Sequence, residues 1–184
     1  MSHLSYTENM PGVADVFLRD PALYTPLLQF IEAVMTRPSE LSKADREIIA
    51  AHVSRQNGCD FCVGAHRWTL AALDIDWSAI KALDVAPESD VFSPRLRAML
   101  RFAERLTEQP ENINQSDIDA LFDAGWSEQA VEDAINVIAL FNYVNRLVDA
   151  LGIENDDDYF RQIGHTLATR GYAPLIQRAL KQAS

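Results

Sequence analysis

Cysteine is scarce in this chain: two residues in 184, both inside one four-residue stretch. A secreted disulfide scaffold spreads more of them along a shorter chain, so that class is excluded. No run approaches the length and apolarity of a membrane-spanning helix. Basic side chains are outnumbered, with 16 Lys and Arg against 27 Asp and Glu and a formal charge of −11. Such a chain repels phosphate backbones and anionic lipid heads, which argues against nucleic acid and membranes as partners. The opening segment, Met-Ser-His-Leu-Ser-Tyr-Thr-Glu-Asn-Met, has no basic stretch followed by an apolar run. A standard signal peptide is therefore not expected, and the cytosol is the default compartment. Strand-like alternation is rare, and low-complexity segments are missing.

What is present is an ordinary globular composition, 48% apolar and 23% charged. The length fits one domain, or two small helical repeats fused on one core. Helix punctuation is dense. Asp20-Pro21 reads as an N-cap with Pro at the first helical position, ahead of Leu23, Leu27, Leu28, Ile31 and Val34. Ser42-Lys43-Ala44-Asp45 resembles a capping box before Ile48, Ile49 and Val53, and Asn57-Gly58 suits a helix stop. A second helix is predicted from near Cys59 through Val63, His66, Leu70 and Leu73, and Asp76 caps a short one. Ser93-Pro94 opens another through Leu106. A short helix around Ile118 to Phe122 stops at Gly125. Ser127 caps a long one that ends before Gly152 and is apolar on more than one face. A helix that apolar is central to a core or to a subunit interface. Two last helices are expected around Tyr159–Leu167 and Ala173–Gln182, while 85–92 and 108–115 read as loops. The expected architecture is all-α over 1–184: a hairpin at about 42–74, a related one at about 93–152, and C-terminal helices at about 157–182. The faint repeat behind this pairing matches Ser42 and Glu47 with Ser127 and Glu132.

The segment richest in chemistry runs from Glu47 through Cys59-Asp60-Phe61-Cys62 to His66. Cysteines three apart on a helical first turn share a face, at a separation a disulfide can span. Cys59 falls at the helix N-terminus, where unpaired N–H groups favour thiolate over thiol. His66, four residues after Cys62, lies one turn along the same face and can take a thiol proton. If the two helices run antiparallel about Asn57-Gly58, residues whose numbers add to roughly 114 lie at one height. Glu47 then faces His66 or Arg67, and a carboxylate beside an imidazole orients it and raises its basicity.

Glu-x11-Cys-x-x-Cys-x3-His resembles the signature of the AhpD-like alkylhydroperoxidases of the carboxymuconolactone decarboxylase superfamily, in the peroxidase-related branch. A looser similarity extends from Leu41-Ser42 to Phe141-Asn142-Tyr143-Val144-Asn145-Arg146. The resemblance implies an all-α AhpD-like bundle, homo-oligomers and thiol-dependent reduction of peroxides, with no haem or flavin. It implies Cys62 as the peroxidatic cysteine, Cys59 as resolving partner and proton donor, and Glu47 with His66 as relay. A hydroperoxide and an external dithiol reductant would be the partners. One position departs: Phe61 stands where the best-known members carry a histidine, which removes a polar helper.

Each of these residues has a plainer reading. Cys59, Cys62 and His66, with Glu47 or His52 as a fourth ligand, could hold zinc. Haem attachment fails because no histidine follows Cys62 directly, and a thioredoxin fold fails for want of a βαβ pattern. Glu47 alone could pair with Arg67 on the surface. His52 is turned away from Glu47 and reads as structural. Asn142 and Asn145 either line the site or, more plainly, serve backbone groups near a helix end. Phe61 and Trp68 read as wall or core aromatics, and Asp60 as pointing outward. At the level of function, a non-catalytic redox-sensing or metal-binding helical oligomer competes with the peroxidase. A decarboxylase-type lyase is a third reading, which the dithiol disfavours.

Overall fold

The computed structural model describes residues 2–183, and among them every regular element is helical. In chain order these are α1 (Val13–Arg19), α2 (Pro21–Thr36), α3 (Lys43–Gln56), α4 (Asp60–Ala72) and α5 (Trp77–Ala82). They continue as α6 (Pro94–Glu108), α7 (Gln115–Asp123), α8 (Glu128–Leu151), α9 (Asp157–Arg170) and α10 (Ala173–Ala183). Side-chain caps set most of the starts. Asp20, Ser42, Asp76, Ser93, Ser127 and Asp156 each accept a hydrogen bond from a backbone N–H of the first turn. Each satisfies a donor the helix cannot, a contribution of about 1 kcal/mol. Ser42 and Asp45 close a reciprocal capping box. Helix α1 has no counterpart in the sequence reading: it is seven residues long and starts at Gly12, which offers no capping side chain. Part of the predicted 108–115 loop winds into a 3₁₀ turn over Pro110–Asn112.

The core forms around α3. Nine consecutive residues of this helix, Arg46 to Ser54, are buried, so neighbours surround it on all sides. From the sequence, α8 is expected to be central to a core or to a subunit interface. That helix is buried on most of its circumference but leaves Ile135 and Tyr143 exposed. Burial of polar members of the α3 run is offset for Arg46, Glu47 and Ser54 by hydrogen bonds to other elements. Arg46 donates through one NH to Met35 O at 3.2 Å and through the other to Arg37 O at 2.7 Å. It thereby caps the C-terminal carbonyls of α2 with a buried cation.

Two contacts position the site. The turn between α3 and α4 places Gly58 at φ +74, a left-handed conformation suited to glycine, and Cys59 N–H bonds Ser54 O at 3.0 Å. Helices α4 and α9 then approach through glycines. A Cβ on Gly164 would come 2.6 Å from the Trp68 backbone carbon, and one on Gly64 would come 2.6 Å from the Phe160 ring. The corner between α9 and α10 is tied down by charge: Lys43 Nζ donates to Leu167 O and Ala168 O, and Glu32 Oε2 accepts the Tyr172 N–H at 2.6 Å. No helix among the described residues is long and apolar enough to cross a membrane.

Candidate active site

The chemistry-bearing residues come from the α3–α4 hairpin. Glu47 Oε2 accepts from His66 Nδ1 at 2.7 Å, and both side chains are almost fully buried. The antiparallel hairpin puts the two at one height, as the numbering predicts. A carboxylate oxygen only accepts, so Nδ1 carries the proton and Nε2 is left as the basic nitrogen. The Phe141 ring stands edge-on to the imidazole, 4.4 Å between centroids, and limits its rotation. Arg67 is not the partner of Glu47: it pairs with Asp84, which Arg55 also approaches at 3.6 Å.

Cys59 and Cys62 are free, with their Sγ atoms 2.8 Å apart. Cys59 occupies the N-cap of α4, as expected, but its surroundings there oppose the thiolate. Its hydrogen bond to Cys62 and its complete burial push the Cys59 thiol far above the ordinary range. Desolvation and a sulfur neighbour outweigh the helix dipole. Cys59 is thus the donor of the pair and Cys62 the acceptor. Asp60, between them, points outward.

Cys62 and His66 face a cavity of about 290 Å³. Its wall is mostly apolar, with Phe17, Phe61, Phe141 and Tyr159 prominent, and Tyr172 and Arg178 also border it. Glu47 and Cys59 lie behind this wall. Phe61 packs edge-on against Phe160, and burial together with the nearby Asp15 carboxylate pushes the Tyr159 phenol up to about 12. Tyr159, Tyr172 and Phe141 were not singled out as cavity residues from sequence. The signal available for Phe141 was its place in the family-like stretch from Phe141 to Arg146.

The remaining candidates lie elsewhere. His52 is fully buried in α3, its nearest charge the Glu104 carboxylate at 3.9 Å, and burial pushes its imidazole down to about 4. Asn142 and Asn145 do not border the cavity. Asn145 bonds Asn57 and Ser54, and Asn142 bonds Asn57, Thr107 and the Ile138 carbonyl. They act mainly on side chains of the α3–α4 turn and α6, a correction to the expectation that they serve backbone groups at a helix end. Trp68 packs on Trp77 and donates to Asp157. The zinc reading lacks its geometry: among the described residues no group of three or more His, Cys, Asp or Glu side chains is placed to hold a metal ion.

A helical bundle with a buried Glu–His pair and a close dithiol at one cavity defines the class. Residues 21–105 match the model of the carboxymuconolactone decarboxylase family. The fold is AhpD-like. An uncharacterized peroxidase-related protein from Silicibacter sp. TM1040 is 28% identical, with a TM-score of 0.75 over 85% of this chain and 84% of its own. A second, from Ralstonia eutropha JMP134 and described as an alkylhydroperoxidase AhpD core, is 26% identical, with a TM-score of 0.74 over 82% and 78%. The uncharacterized protein YdfG of Bacillus subtilis (strain 168) is 27% identical over 117 residues, 64% of this chain and 80% of its own.

Proposed function

We propose that the protein is a thiol peroxidase that reduces hydroperoxides through Cys62. The observation that carries this reading is the buried Glu47–His66 hydrogen bond of 2.7 Å beside a cavity that Cys62 shares. Glu47 holds His66 with Nε2 free, and that nitrogen takes the Cys62 proton. The thiolate attacks the terminal peroxide oxygen, the O–O bond breaks, and Cys62 becomes a sulfenic acid as an alcohol leaves. Cys59, 2.8 Å away, then attacks that sulfur as its proton passes to the departing hydroxyl. Water departs and a Cys59–Cys62 disulfide forms. An external dithiol, oxidised in turn, returns both thiols by exchange. Similarity to peroxidase-related proteins supports the same assignment.

The test is peroxide consumption with a recycling dithiol. Cys62→Ser is expected to abolish turnover, and Cys59→Ser to stop after one equivalent with sulfenic acid at Cys62. Retained turnover in Cys62→Ser refutes the assignment.

A further inference from the structure

One group at the cavity has no part in the scheme so far. Tyr172 borders the same space as Cys62 and His66, although it comes from the α9–α10 corner, over a hundred residues on. Several restraints converge on its position. Its backbone N–H is held by Glu32 Oε2 at 2.6 Å. Gly171 before it takes φ +59, a backbone conformation that side-chain-bearing residues rarely adopt. Lys43 clamps the last carbonyls of α9 from α3. Side chains from α2 and α3 thus decide where this phenol stands.

The surroundings decide its protonation. Burial first, then repulsion from Glu47, Cys62 and Glu32, hold the phenol well above its usual range. It therefore keeps its proton beside anions and acts as a donor. Among the described residues no group hydrogen-bonds its hydroxyl. A protonated phenol without a protein hydrogen-bond partner, half-buried on the wall of the cavity that Cys62 shares, is suited to stabilising an oxyanion there.

On the thiol-peroxidase reading, we infer that Tyr172 donates the hydrogen bond to the peroxide oxygen that leaves. As the Cys62 sulfur forms its bond to the terminal oxygen, the O–O electron pair passes to the departing oxygen. Sulfur is oxidised to the sulfenic acid and the peroxide is reduced. The proton that completes the alcohol is the one His66 took from Cys62. Tyr172 keeps its own and stabilises the alkoxide as it forms.

Tyr172→Phe tests this with two oxidants and one alkylating agent. With tert-butyl hydroperoxide, whose leaving alkoxide is strongly basic, kcat/KM is expected to fall about 100-fold. With peracetic acid, whose leaving carboxylate needs little help, the fall should be only a few-fold. Alkylation of Cys62 by iodoacetamide, which involves no leaving oxygen, should keep its rate. Equal losses on both oxidants, no loss on either, or a parallel loss of alkylation would each overturn the assignment of Tyr172. A wild-type protein that consumes neither oxidant would instead sink the peroxidase reading, and is seen before any variant is made.

Discussion

Glu47 stands where a carboxylate is costly. Removing such a charge from water costs several kcal/mol unless a partner repays it, and the partner is a single imidazole nitrogen at 2.7 Å. Two consequences follow at this residue. Glu47→Gln keeps the shape but weakens the hold on His66. Alkylation of Cys62 near neutral pH should slow by roughly 10- to 100-fold, the usual cost of losing such a support. Measured iodoacetamide rates decide it, and an unchanged rate takes Glu47 out of the relay. His66→Ala leaves the carboxylate alone and should cost about 3–5 kcal/mol of stability in denaturant titration. The meeting of these residues was legible in the sequence because both sit on one rigid hairpin, where counting residues measures height. Tyr172 and Phe141 were not legible. They reach the cavity by packing between helices far apart in the chain, and no spacing rule connects them to Cys62.

Among the helices, the closest constraint is the contact of α4 on α9. A methyl at Gly164 would strike backbone atoms of Trp68 and Thr69, which cannot turn aside. Gly164→Ala should therefore destabilise the fold by about 1–3 kcal/mol through overpacking. At Gly58 nothing lies within 4 Å of an added Cβ, and only the left-handed φ resists it. Gly58→Ala should cost nearer ~1 kcal/mol. Thermal or denaturant midpoints rank the two, and a Gly164→Ala midpoint equal to wild type would contradict the close approach. Caps such as Ser42 and Ser127 made most helices readable, because a polar side chain at a helix start is a local event. Helix α1 was not readable, since Gly12 gives no such signal and seven residues are too few for a periodic pattern.

Across the whole molecule, His52 couples stability to acid. Its imidazole is neutral in the fold, pushed down to about 4 from an ordinary 6.5, so the unfolded chain binds the proton more readily. Below 6.5 the unfolded state gains protons that the folded state refuses until about 4. Stability should therefore fall as pH drops through that window, by a few kcal/mol at ~1.4 kcal/mol per unit. Denaturant titrations at stepped pH measure the slope, and His52→Gln should flatten it. Fold class was legible from the density of helix signals. The central place of α3 was not, because Arg46 and Ser54 look like surface residues until their partners on other elements are known.

The two sulfurs are unequal in access. Cys62 borders the cavity and Cys59 is sealed behind it. On the thiol-peroxidase reading, once the pair is joined an incoming thiol can strike only at position 62, expelling the sulfur at 59. The mixed adduct with the electron donor is then carried at 62, in the space the oxidant has vacated. Oxidant and donor use one doorway and must take turns, which makes each a competitor of the other and gives the two half-reactions a ping-pong order.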